Sequence, residues 1–236
     1  MELLDIILLF ILAFLPPIIY AIWIRDTEKY NREKFTPMFL CFIWGATIAI
    51  VASIILELIL DVSIYVSFEE STQISLVLTL FIAPFVEELT KPLALRLKTV
   101  KNSLDELEDG LILGAVAGLG FSATENLLYG YSFLSEGGLL VFLILMSIRS
   151  VGGCLLHASA TALTGYGYGK SIILGKSFLR VMPYFIVAIF VHAFYNFLVS
   201  FKTIGLASGL FVALIFVIIT IHFVRKKIRT LDANRI

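Results

Sequence analysis

Apolar residues fill seven long blocks of this chain, at about 3–24, 37–60, 73–96, 110–130, 139–165, 181–201 and 204–224, with short polar stretches between them. Each block is near the ~20 apolar residues that a helix needs to cross the hydrocarbon of a bilayer. Lipid offers no water to backbone N–H and C=O groups, so an apolar crossing of this kind must be helical. The pattern predicts an all-α, polytopic transmembrane helix bundle of about seven spans. The first block opens with Glu2 and Asp5 rather than Lys or Arg and shows no small-residue cleavage site, so it reads as a retained span and not a signal peptide. Pro16-Pro17 predicts a kink within it. Residues 98–109 (KTVKNSLDELED) form the most polar internal stretch and read as a helix or loop outside the membrane. No repeat relates the two halves and no linker divides them, so 1–236 reads as one domain.

The polar stretches set an orientation. Of the 18 Lys and Arg, fifteen follow the first, third, fifth and seventh blocks, from Arg25, Lys29, Arg32 and Lys34 through to Arg235. Lys202 alone follows an even-numbered block, and the loop holding Asp61, Glu69 and Glu70 has no basic residue. Basic loops stay cytoplasmic, which predicts an N-terminus outside, a C-terminus in the cytoplasm and a multi-pass protein of the cell membrane. Composition agrees: 59% of residues are hydrophobic and mean hydropathy is +0.98, against about 45–50% apolar in soluble domains. A net charge of zero gives no reason to expect a nucleic-acid partner. Cys41 and Cys154 both fall in apolar blocks and read as small buried hydrophobes, neither a zinc pair nor a disulfide framework.

Against this background some residues are out of place. Ionisable groups at membrane depth cost several kcal/mol each and mark function. The blocks nonetheless hold Glu57, Glu87, Glu88, Lys91, Glu125, Arg149, His157 and His192, with Asn126 and Asn196. In the third block (APFVEELTKP), Lys91 is four residues from Glu87 and three from Glu88, so both pairs can meet on a helix. Two adjacent acids at low dielectric repel, which is how a general base or acid is tuned. Pro84 and Pro92 bracket the motif and free backbone groups near it.

The fourth block repeats Gly110, Gly114, Gly118 and Ser122 every four residues, a small face for close helix packing, with Glu125 just beyond. The fifth repeats Gly153, His157, Thr161, Gly165 and Gly169, and the sixth carries His192 and Asn196 at i, i+4. Counted from the cytoplasmic edge at ~1.5 Å per residue, Glu87, Glu125, His157 and His192 lie at ~17–24 Å, so four helices can converge on one site. Arg149 reads as a counter-charge, Glu57 as interfacial and His222 as part of the basic C-terminal end. Gly165, Gly167 and Gly169 follow no strand, so they read as packing rather than as a nucleotide loop.

At these segments the sequence resembles the PrsW family of intramembrane proteases, within the broader superfamily of CAAX prenyl proteases and bacteriocin-processing enzymes. The residues that carry the resemblance are Glu87-Glu88-x-x-Lys91, Phe121-x-x-x-Glu125 with Asn126, His157, and His192-x-x-x-Asn196, all within about 75–200. CAAX proteases typically carry arginine where Lys91 stands and histidine where Glu125 stands, which points to the PrsW branch. The resemblance implies a membrane-embedded peptidase that cuts a membrane protein or peptide in the lipid bilayer, such as an anti-sigma-factor-like single-pass protein.

Two chemistries fit the residues. In the preferred one, Glu87 activates water, Glu88 and Lys91 tune it, His192 and Asn196 stabilise the oxyanion or protonate the leaving amine, and Glu125 and His157 complete the site, with no cofactor. In the other, Glu125, His157 and His192 bind zinc, with Glu87 as base; two histidines and a carboxylate suit catalytic zinc. The competing class is a proton-coupled transporter, since buried Glu and His also build proton relays; a receptor needs none of these motifs.

Overall fold

The computed structural model describes residues 3–67, 78–175, 177–200 and 205–234. The acidic loop around Glu69 and Glu70, the first residues of the third expected span and the turn at Lys202 lie outside the described residues. What is described is helical, with no strand among the described residues. α1 (Leu3–Arg25) continues as one helix through Pro16-Pro17. α2 (Phe35–Trp44) passes through a π turn (Gly45–Ala49) into α3 (Ile50–Ser67). A second π turn (Leu78–Ile82) leads to α4 (Ala83–Thr90), which tightens into a 3-10 helix (Lys91–Arg96); the one-turn α5 (Lys98–Lys101) follows. α6 runs from Leu107 to Ile173, and Gly138, at φ 73°, turns the chain between its two arms. A 3-10 turn (Phe178–Val181), α7 (Met182–Ser200) and α8 (Leu206–Ala233) complete the order.

Five of these helices are long and apolar enough to cross a membrane: Leu3–Arg25, Phe35–Leu60, Leu107–Ile173, Phe178–Ser200 and Ala207–Ala233. The 67-residue α6 covers the fourth and fifth expected blocks. The third block is broken into short helices, because Pro92 lacks the N–H that would close the turn onto the Glu88 carbonyl. The chain is a multi-pass, all-helical membrane protein.

The two small-residue stripes of the sequence pack against each other. A Cβ added to Gly114 would sit 2.6 Å from the Thr161 carbonyl oxygen, and one added to Gly118 would strike the carbonyl of His157 itself. Glycine lets the two arms of α6 approach backbone to backbone. On its other side the first arm meets the α2–α3 span, where a Cβ on Gly120 would strike the Phe42 carbonyl and one on Gly45 that of Ala117. Span α2–α3 also grips α4: the Trp44 indole N–H donates to the Thr90 carbonyl (3.1 Å), and Ser53 Oγ lies 2.7 Å from Thr90 Oγ1. The site is thus framed by contacts that tolerate no added bulk.

Candidate active site

The motifs Glu87-Glu88-x-x-Lys91, Glu125, His157 and His192 sit on three elements: α4 with its 3-10 extension, the two arms of α6, and α7. The structure brings their side chains into one cluster. Lys91, with no exposed side-chain surface, lies at its centre. Its Nζ donates to Glu87 Oε2 (2.7 Å) and Glu88 Oε1 (2.9 Å) and meets His157 Nδ1 at 2.8 Å. An ammonium has three N–H donors, and these three acceptors use them all. The Phe121 ring, 4.3 Å from Nζ, covers another side.

The hydrogen bonds also set the two imidazoles. Since the Lys91 ammonium only donates, His157 Nδ1 must accept, and its Nε2–H donates to Glu125 Oε2 at 2.7 Å. His192 Nδ1 lies 3.0 Å from Glu88 Oε1, which only accepts, so Nδ1 carries the proton and Nε2 keeps the lone pair. That Nε2 is 3.9 Å from Glu87 Oε2, and His157 Nδ1 is 3.7 Å from the same oxygen. The two rings meet edge to face, with centroids 5.0 Å apart. Glu87, His157 and His192 are all buried and offer donor atoms within 4.8 Å of one another.

Glu88 is wholly buried, and its other oxygen accepts from Thr161 Oγ1 at 2.9 Å. Thr161 was visible in the sequence only as part of the small-residue stripe; its place one turn after His157 is the signal that it shares the site. Arg149 pairs with Glu125 (Nη2 to Oε2, 2.9 Å) and donates from Nε to Asn126 Oδ1 (2.8 Å). With all three carboxylates ionised, two fixed cations face them, and the cluster carries one net negative charge.

A cavity of about 600 Å³ opens beside the cluster. Glu87, Glu125, His157, His192, Asn196 and Arg149 line it, together with apolar residues of α3, α6, α7 and α8, whereas Glu88 and Lys91 lie behind the wall. The residues divide by position. Glu87, the imidazoles and Asn196 can touch a substrate, while Glu88, Lys91 and Thr161 hold the others in place. Of the zinc set expected from sequence, Glu125, His157 and His192, the structure places Glu125 on the outer nitrogen of His157, and Glu87 lies beside the two imidazoles.

Comparison with known proteins agrees with the motifs. No solved structure matches the chain significantly. A curated relative, "Protease PrsW" of Clostridioides difficile (strain 630), is 26% identical over 125 residues, 52% of this chain and 51% of that protein. The match therefore spans about half the length of each. The family model described as "PrsW family intramembrane metalloprotease" matches residues 33–223, which include every residue of the cluster. The chain belongs to the PrsW family of intramembrane metalloproteases.

Proposed function

We propose that this protein is an intramembrane endopeptidase that hydrolyses a peptide bond of a membrane protein, such as a single-pass anti-sigma-factor-like protein, at the wall of the ≈ 600 Å³ cavity. The observation that carries the reading is the convergence of Glu87, His157 and His192 within 4.8 Å, on separate elements, where they line that cavity. In a membrane-spanning chain such donors are costly unless they do chemistry. The wider placement beside the CAAX proteases rests on the Glu87-Glu88-x-x-Lys91 motif and is part of the same proposal. So is the topology, with the N-terminus outside and the C-terminus in the cytoplasm of the cell membrane, which rests on the basic loops.

Hydrolysis needs an activated water, donors for the developing oxyanion and a proton for the leaving amine. Glu87 is the carboxylate on the cavity wall and takes the proton of the attacking water. Lys91 donates to its Oε2 at 2.7 Å and holds the carboxylate in place at the wall. His192 carries its lone pair on Nε2 toward Glu87, so it suits transfer of that proton to the amine rather than donation to the oxyanion. The oxyanion donors are the Asn196 amide and Arg149, whose Nη2 is buried and 2.9 Å from Glu125 Oε2 without hydrogen-bond geometry.

The family description implies a metal, and the donor set fits one. Each imidazole is held by a carboxylate on one nitrogen, Glu125 on His157 Nε2 and Glu88 on His192 Nδ1, which is the outer arrangement of metal-ligating histidines. Glu87, His157 Nδ1 and His192 Nε2 would hold zinc, and Lys91 would give up its contact with His157. The metal would supply a Lewis acid that lowers the pKa of bound water, and Glu87 would then serve as ligand rather than as base. Metal analysis of the purified protein, with thermal unfolding before and after chelation, separates the two forms.

The deciding experiment is co-expression with candidate single-pass membrane proteins, comparing the parent with Glu87→Gln and His192→Ala. Cleavage by the parent and none by either folded variant supports the reading. Full cleavage by Glu87→Gln removes it. Ion flux into proteoliposomes without peptide cleavage favours the transporter class.

A further inference from the structure

A second group of buried acids gathers at the opposite kind of address, where the loop after α1, the start of α6 and the end of α8 meet. Glu28 has no exposed surface, and Glu108, Asp109 and Asp232 are also buried. Glu28, Glu108 and Asp232 offer carboxylate oxygens within 4.8 Å of one another, and so do Glu28, Glu106 and Asp109. Glu28 is common to both sets. The surrounding loops wrap these acids with backbone donors. Asp232 accepts from the N–H groups of Lys29 (2.8 Å) and Tyr30 (3.4 Å), and Asp109 Oδ2 from those of Glu106 (2.7 Å) and Asp105 (3.0 Å).

Glu28 Oε2 accepts from the Glu33 N–H at 2.7 Å, but its Oε1 is buried and has no hydrogen-bond partner. A buried carboxylate oxygen left without a partner costs free energy that a bound ion recovers. The nearby cations are engaged elsewhere. Arg25 donates to the Glu33 carbonyl and pairs with Asp26, Arg32 pairs with Asp26, and Arg225 donates to Thr27 while stacking on the Trp23 ring. Arg32 Nε also donates to the Glu28 backbone carbonyl (3.1 Å), and among the described residues no lysine or arginine forms an ion pair with the Glu28 carboxylate. The donors are all carboxylate oxygens, which suit hard cations and not zinc or copper.

We propose that this cluster is a metal site separate from the active site, taking one hard divalent cation, Mg²⁺ or Ca²⁺, on Glu28, Glu108 and Asp232, with Glu106 and Asp109 beside them. The ion ties together three segments that lie up to about two hundred residues apart in the chain. One of them, Leu107–Asp109, begins the arm of α6 that carries Glu125.

The test uses the full-length protein in detergent, stripped with EDTA and titrated with CaCl₂ or MgCl₂ at neutral pH. Equilibrium binding of ⁴⁵Ca²⁺, competed by Mg²⁺, gives stoichiometry and ion preference, and thermal unfolding reports the clamp. Saturable binding of one ion per chain is expected, with a rise in Tm. Glu28→Gln should weaken binding at least tenfold, as should Glu108→Gln if the first variant fails to fold. Glu87→Gln and His157→Ala should leave it unchanged, which separates this site from the active site. No saturable binding of either ion by the parent up to about 10 mM, beyond the weakest range of protein calcium sites, overturns the proposal. Binding undiminished in folded Glu28→Gln overturns it too.

Discussion

Two clusters of buried carboxylates occupy this one bundle, and they are neutralised differently. Around the cavity, Glu87 and Glu88 meet Lys91 four and three residues along the same segment, and Glu125 meets Arg149 across the two arms of α6. At the junction of loops, Glu28 and Glu33 receive backbone N–H groups instead, from Glu33 and Lys34. Their carboxyl groups respond: burial pushes Glu28 up to about 7, with Glu108, Asp232 and Glu33 adding negative charge, and burial likewise pushes Glu33 up to about 7, with Asp105 adding. A cation built into a helix at i+3 or i+4 travels with its acid through folding. A loop that supplies only its own backbone dipoles leaves room for a proton or an external ion.

That contrast is open to direct attack. The largest expected effect is on catalysis: Glu87→Gln should lower cleavage of a co-expressed substrate by at least ~10²-fold, read by immunoblot, with the Tm little changed. Wild-type cleavage in that variant would leave the cavity cluster as structure alone. Next, Lys91→Met should destabilise the protein by about 3–5 kcal/mol, since removing one partner strands buried charges. Thermal unfolding in detergent measures this, and an unchanged Tm would mean that the acids have another source of neutralisation. Gly118→Val should cost about 1–3 kcal/mol, because its side chain strikes the His157 carbonyl, and activity should fall with it as the imidazole shifts.

The smallest effect concerns pH. Glu28 and Glu33 have a folded pKa of about 7 against an ordinary value of 4.5, so between these values the folded state holds more protons than the unfolded one. Stability should therefore fall as pH rises through that window and level off above it. In EDTA the Tm of the parent should drop between these limits, and the drop should flatten in a Glu28→Gln/Glu33→Gln variant. A Tm that rises across the same range would reverse the sign and refute the assignment.

Much of the candidate site was legible in the sequence because local spacing carries it. Glu87, Glu88 and Lys91 share one stretch of five residues, and helical periodicity alone brings them together. The stripes through Gly114 and Gly165 announced close packing, since a four-residue repeat of small side chains has no other use at that length. Partner choice was less legible. Both Glu87 and Glu125 are acids at similar depth, and only the rotation and tilt of the packed arms set Glu87 between the imidazoles and turned Glu125 to Arg149. The cluster around Glu28 was invisible, because its members lie in polar stretches where acids are ordinary.

The chain by itself determined that this is a helical membrane protein, which residues are too polar for their depth, and which pairs meet within one helix, since hydrophobic length and the 3.6-residue period are local properties. Tertiary structure alone decided which imidazole nitrogen faces which carboxylate, that Lys91 sits behind the cavity wall while Glu87 forms it, and that Glu28 meets Asp232 from the far end of the chain. Those relations depend on how rigid helices pack against one another, and no spacing along the sequence encodes a distance between them.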